Sequence, residues 1–204
     1  MRNSIELGCG LGRLTFAFLD AGFTDFIGVD VSSEMIRGAA VQSERLGISP
    51  QSAKFMKSDG VNIPVDSETV DFAFSYLVLQ HMPTKAIVQR NLAELCRVLR
   101  DGGTLLFQIP TINSGLNGIL KYGIKLANDW RWQIAIRIFG LERLVEHSQA
   151  MHGTRFWQSE LKTTLSRLPL QILKIQVGPL SPTYTGKSEW ERAYHTWVLA
   201  VKRG

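Results

Sequence analysis

Three glycines separate a short apolar run, Ser4–Leu7, from a helix-period segment that begins at Gly12, in the stretch Glu6-Leu7-Gly8-Cys9-Gly10-Leu11-Gly12-Arg13. A strand that turns through bare backbone into a helix brings unhindered peptide up to a ligand, beside the positive end of that helix. A glycine turn by itself marks many α/β chains, so the pattern downstream has to narrow the fold. Short apolar runs there alternate with helix-period segments, which is the signature of βαβ units and a mostly parallel sheet. Strands read at 4–7, 26–31, 53–58, 70–75, 104–109, 170–177 and 194–201, and helices at 12–21, 33–46, 85–100 and 156–168. The helix over 85–100 is expected to close at Asp101-Gly102-Gly103 through a left-handed glycine.

Composition bounds the rest. The 204 residues are 45% hydrophobic and 20% charged, enough for one domain with a full core. The pattern divides that domain, 1–204, into a core over 1–110, a helical insertion over 111–153 and a completing helix and strands over 154–204. No run approaches the roughly 20 uncharged apolar residues that span a bilayer, and no secretory segment precedes the motifs, so a cytoplasmic protein is expected. Cys9 and Cys96 fit neither a disulfide framework nor a zinc spacing, and two thiolates exclude an iron–sulfur cluster that needs three or four. The net charge of +5 is spread along the chain with no basic block, so a bland basic surface outranks an anionic partner, and no nucleic acid is expected. The sequence leaves the oligomeric state open.

Two carboxylates fall where ligands bind in such sheets, in the crevice outside the carboxyl ends of the strands. Asp30 closes the second strand, 20 residues beyond Gly10, where a carboxylate accepts both hydroxyls of a ribose; the plain alternative is a solvated acid or a helix cap, a role that Ser32 and Ser33 also fit. Asp59 follows the third strand in Ser58-Asp59-Gly60-Val61, where an acid and a neighbouring N–H can read adenine. A dinucleotide fingerprint wants glycines at relative positions 1, 3 and 6; here the sixth is Arg13, which counts against a nicotinamide or flavin dinucleotide.

In this order the motifs resemble the class I S-adenosylmethionine-dependent methyltransferases, on the small-molecule side of that family. The matching residues are Glu6 to Gly12, Gly28-Val29-Asp30-Val31-Ser32, Ser58-Asp59-Gly60 with Pro64, Val70 to Ser75, and Arg97-Val98-Leu99-Arg100-Asp101-Gly102-Gly103-Thr104-Leu105, with Asp101 where the family usually has proline. The resemblance implies a doubly wound, mostly parallel seven-stranded Rossmann-like sheet, its last strand antiparallel beside the fifth, and S-adenosyl-L-methionine as cofactor. It also implies that Glu6 and the Gly8, Cys9 and Gly10 backbone serve the methionine end. By the same resemblance Asp30, followed by Val31, takes the ribose; Asp59, Gly60 and Val61 take the adenine; and backbone at Ser75 and Tyr76 meets the methionine amine. Met35 packs on the adenine face or, equally, in the core.

The expected activity is methyl transfer to an oxygen, nitrogen or carbon nucleophile of a small, partly apolar metabolite. The turn Ser75-Tyr76-Leu77-Val78 lacks the Asn/Asp-Pro-Pro-Tyr form that goes with base-amine methylation. His81 is the candidate base, titrating near neutrality just past the fourth strand; its other reading is a structural loop histidine. His147, His152 and His195 form no metal constellation with nearby acids, so no metal is expected, and His195 reads as structural.

Within 111–153, Ile119, Tyr122, Leu126, Trp130, Ile134, Ile138, Leu141 and Val145 recur every three or four residues. The stripe reads as a lid, as ordinary packing, or as membrane-surface contact over 116–145. The family's helical segment before the first strand has no counterpart here, so a shortened N-terminus and an open cofactor cleft are expected. A non-catalytic methyltransferase-like binding module and an NAD(P)-linked oxidoreductase are the rival readings.

Overall fold

The computed structural model describes residues 3–112, 154–178 and 195–204. The stripe over 119–145, the membrane contact over 116–145, His147 and His152 lie outside the described residues. Strands β1 (Ser4–Leu7), β2 (Phe26–Asp30), β3 (Ala53–Lys57), β4 (Val70–Ser75), β5 (Leu99–Ile112), β6 (Phe156–Trp157), β7 (Leu170–Val177) and β8 (His195–Lys202) alternate with helices α1 (Arg13–Asp20), α2 (Ser33–Arg45), α3 (Lys85–Val98) and α4 (Gln158–Ser166). The sheet order is β3-β2-β1-β4-β5-β8-β7. Pairing is parallel from β3 through β5, and β8 enters antiparallel between β5 and β7. That is the expected doubly wound sheet, with one addition: β6 pairs parallel with the end of β5, at Thr111 and Ile112.

The largest departures from the sequence reading lie at α3, β5 and α4. Leu99 is buried and pairs with Val70, so α3 gives way to strand at Val98, ahead of the glycines. Gly102 does take a left-handed φ of 76°, but inside the irregular start of β5, where the register jumps between Val70 and Phe72. Phe156 and Trp157 belong to β6, and the helix starts at Gln158.

The strands of β1 to β5 carry apolar residues toward both faces, as a sheet covered on each side requires. One face packs on α3 and α4 through Ile5, Leu7, Val29, Ala73, Phe107 and Val198 against Val88, Leu92, Leu161 and Leu165. On the other, Phe18 of α1 meets Phe26, Phe72 and Phe74 at centroid distances of 5.0 to 5.7 Å. This double covering holds the carboxyl ends of β1, β2 and β4 at one rim, where the turns that follow them can meet.

Candidate active site

The glycine turn is built from left-handed backbone. Gly8, Gly10 and Gly12 have φ of 78°, 53° and 82°, a region that side chains other than glycine occupy only at a cost. Its amides are tied to β2: the N–H groups of Gly8 and Cys9 both donate to the Val29 carbonyl, at 2.6 and 3.0 Å. A Cβ on Gly8 would lie 2.1 Å from Val78 Cγ2, so the turn after β4 presses directly on this glycine. A Cβ on Gly10 would meet nothing within 4 Å, so the turn presents open backbone there.

Asp30 closes the turn from the neighbouring strand. Its Oδ2 accepts the Gly10 N–H at 2.9 Å and its Oδ1 accepts the Ser32 N–H at 2.9 Å. The α2 cap falls to Ser32, whose Oγ accepts the Met35 N–H at 3.3 Å. An ionised carboxylate offers about four acceptor positions, so Asp30 retains one on each oxygen for a ligand. Val31, which follows Asp30, and Met35 in the first turn of α2 are 58% and 41% exposed apolar side chains.

Asp59 organises its own loop. Oδ1 accepts the N–H groups of Val61 at 2.8 Å and Asn62 at 2.7 Å, Oδ2 accepts the Asn62 amide at 2.6 Å, and these donors hold the carboxyl below its ordinary range. Gly60, at φ 90°, lies close enough to β2 that its Cβ would stand 3.4 Å from Val31. The loop is anchored from behind by side chains that periodicity does not single out. Buried Asn91 donates to the Gly60 carbonyl at 2.9 Å, Glu94 accepts the Ile63 N–H, and Arg97 reaches the Ile63 and Val65 carbonyls. Asn91, Glu94 and Arg97 recur at spacings of three, but Lys85, Gln89 and Arg90 on the same helix leave them no distinctive pattern in the sequence.

Glu6 is 3% exposed within β1 and accepts the Thr15 hydroxyl at 2.6 Å. Burial outweighs that hydrogen bond and pushes its pKa up to about 7. The folded protein therefore binds this proton more tightly than the unfolded chain, and stability falls as pH rises from about 4.5 through 7. Glu6→Gln keeps an acceptor for Thr15 and removes the buried charge. The variant is expected to match the parent near pH 4, where the carboxyl is protonated in both states, and to exceed it by about 3 kcal/mol above pH 8, read by denaturant unfolding. A pH-independent difference would refute the account.

Burial likewise raises the Cys9 thiol, whose Sγ donates weakly to the Gly10 carbonyl at 3.7 Å, so it is no thiolate nucleophile. Ser75, fully buried, donates from Oγ to the Leu7 carbonyl at 3.2 Å, and Tyr76 stacks on Trp197 at 5.2 Å and 12°. Of the predicted residues, Glu6, Asp30 and Ser75 lie in the last residues of β1, β2 and β4, Met35 lies in the first turn of α2, and Gly8, Cys9, Gly10, Val31, Asp59, Gly60, Val61 and Tyr76 lie in the turns that follow β1 to β4. His81 is exposed in a 3₁₀ turn over Leu79–His81, its Nε2 3.2 Å from the Gln80 amide nitrogen, and no described contact aims it toward the glycine turn. A separate groove of about 620 Å³ lies between α1 and α2, floored by Leu11, Phe16 and Val41, and flanks the turn without reaching the strand tips.

A family model described as a methyltransferase domain matches residues 5–107, half of the chain and all four turns. The chain belongs to the methyltransferase-domain family. Over 176 residues it is 25% identical to a malonyl-[acyl-carrier protein] O-methyltransferase of Hamiltonella defensa, 86% of this chain and 60% of that one. A tRNA (carboxymethyluridine(34)-5-O)-methyltransferase of Saccharomyces cerevisiae is 32% identical over 111 residues, 54% of this chain and 36% of that one. The chain thus spans less than two thirds of the length of either relative. A SAM-dependent methyltransferase structure from Methanosarcina mazei superposes with a TM-score of 0.68 at 19% identity, over 98% of this chain and 92% of that one.

The family cofactor is S-adenosylmethionine, a cation with a ribose and an adenine, and the rim of this methyltransferase domain suits it. Asp30 and Asp59 bring carboxyls to the ends of β2 and β3, Glu6 lies buried in β1 beside the glycine turn, Gly10 leaves open backbone, and Val31 and Met35 are exposed apolar side chains.

Proposed function

We propose that this methyltransferase domain transfers the S-adenosylmethionine methyl group to an oxygen, nitrogen or carbon nucleophile of a small, partly apolar metabolite, as a cytoplasmic enzyme. The observation that carries the reading is Asp30: its carboxylate bridges the open glycine turn and the start of α2, with an acceptor position left on each oxygen. The cofactor supplies a methyl carbon made electrophilic by the attached sulfonium.

The protein's part is to bind and to orient. Glu6 and the backbone of Gly8, Cys9 and Gly10 serve the methionine end, and backbone at Ser75 and Tyr76 its amine. Asp30 and Val31 hold the ribose; Asp59, Gly60 and Val61 hold the adenine, with Met35 on its face. Ionisation of Glu6 is favoured as a cation arrives, since opposite charge lowers the pKa that burial has raised. Fixing a nucleophile in line with its target lowers the barrier by as much as about 7–11 kcal/mol in favourable intramolecular cases, so orientation alone supports catalysis. His81 would accept a proton from an acceptor that arrives protonated. The segment over 111–153 is the proposed specificity element, within a single domain over 1–204.

The turn Ser75-Tyr76-Leu77-Val78 supports an acceptor other than a base amine. The tRNA enzyme among the relatives supplies the competing acceptor class. Calorimetry should show micromolar or tighter S-adenosylhomocysteine binding, and labelled cofactor should pass its methyl group to a fraction of extracted metabolites. No heat with S-adenosylhomocysteine would leave a binding module, and label in tRNA alone would overturn the small-molecule acceptor.

A further inference from the structure

Leu77 stands in left-handed backbone, φ 59°, two residues past the end of β4. Leucine has neither the missing Cβ of glycine nor the short polar side chain of asparagine that tolerates this region, so the surroundings must impose it. The tie is to Gln108 of β5, whose Oε1 accepts the Leu77 N–H at 3.2 Å and whose side chain is fully buried. A backbone N–H can only donate, so the amide oxygen is the atom that faces it. The amide nitrogen is therefore turned the other way, and there it lies 2.6 Å from His195 Nδ1, at the start of β8. An amide nitrogen can only donate, so Nδ1 must accept, and the imidazole is then neutral with its proton on Nε2.

We propose that Gln108 is the positioning residue for the cofactor-binding turn after β4, and that His195 is its locked partner, held as the Nε2-protonated imidazole. The proposal rests on the reading above that backbone at Ser75 and Tyr76 meets the methionine end. The same turn is pinned at three further points: the Ser75 hydroxyl on the Leu7 carbonyl, Tyr76 on Trp197, and Val78 against Gly8. Trp197 lies two residues along β8 from His195, so β8 grips the turn through a ring stack and through the amide. Gln108 controls the one peptide in this group whose backbone would relax if its hydrogen bond were lost. Its buried amide thus sets the direction of the Tyr76–Leu77 peptide, in the turn whose next residue, Val78, lies against Gly8.

Two measurements need no variant. Long-range ¹⁵N–¹H spectra of histidine-labelled protein near neutral pH should show His195 as the Nε2–H tautomer, and the Leu77 amide should be protected from exchange. Gln108→Glu keeps an acceptor for Leu77 but removes the donor to His195, and should move the ring to a form carrying a proton on Nδ1. Gln108→Met removes both contacts and should weaken S-adenosylhomocysteine binding by about 10-fold, the equivalent of one lost hydrogen bond in a preformed site. Gln108→Glu should bind within about 3-fold of the parent, since a carboxylate also accepts from Leu77. A ring protonated on Nδ1 in the parent protein, with binding intact, overturns the relay alone. Gln108→Met that binds as tightly as the parent overturns the positioning role. A parent protein with the Nε2–H ring that ignores S-adenosylhomocysteine overturns the cofactor reading and the positioning role with it.

Discussion

Asp30→Asn is expected to weaken S-adenosylhomocysteine binding by about 100-fold, the largest effect of any single polar substitution at the rim. The carboxylate accepts from Gly10 on one oxygen and from Ser32 on the other, both at 2.9 Å. Asparagine offers one oxygen and one NH₂, so whichever way the amide turns, a donor faces one of these two backbone donors. On the proposed reading the variant also loses the charge that would strengthen hydrogen bonds to ribose hydroxyls. Hydrogen bonds to a charged group contribute about 1.5–3 kcal/mol each, and loss of roughly 3 kcal/mol between them is about 100-fold in affinity. Calorimetric titration reads the change, with a melting curve to confirm that the domain still folds. A change of less than about 3-fold would remove Asp30 from the cofactor site.

Gly8→Ala should cost more in stability than any other substitution in the glycine turn, and for two separable reasons. A Cβ at this position would lie 2.1 Å from Val78 Cγ2 and 2.6 Å from Cγ1, distances that require the β1 and β4 turns to move apart. The residue must also hold φ at 78°, which costs an alanine about 1–2 kcal/mol. Together these predict a loss of about 3 kcal/mol or more by urea unfolding, within the usual range for a steric clash added to backbone strain. The double variant Gly8→Ala with Val78→Ala should recover most of the steric part, since the remaining Val78 Cβ would still stand 2.9 Å from the added methyl group, and should leave the backbone part. Gly10→Ala is the contrasting case. Its Cβ meets nothing within 4 Å, so only about 1–2 kcal/mol of backbone strain is expected, while the methyl group occupies the ligand's approach and depresses binding. Equal stability losses at Gly8 and Gly10 would contradict this assignment of roles.

The two glycines also show what a sequence conveys and what it withholds. That a glycine turn joins β1 to α1 was legible, because strand and helix periods abut there with only glycines to make the bend. Which glycine is pressed by Val78 was not legible, since 70 residues separate the partners and no local pattern couples them. Asp30 was legible for a related reason: its place at a strand end follows from the apolar run before it and the serine cap after it. The clamp on the Asp59 loop was not, because Asn91, Glu94 and Arg97 reveal their purpose only when α3 is laid against that loop. The helix boundary before Gly102 moved because pairing of Leu99 with Val70 outweighed the local stop signal.

Period and turn chemistry settled the alternation of strands and helices and the strand ends on which the acids fall, since each of these depends on neighbours a few residues apart, while the seven-stranded sheet with its antiparallel last strand was what the resemblance implied. The raised pKa of Glu6, the left-handed Leu77 and the pairing of Gln108 with His195 were decided by tertiary structure alone. Those properties are set by burial and by hydrogen-bond partners that come from strands distant in the chain. Desolvation and donor–acceptor matching act only once the sheet has brought those strands together.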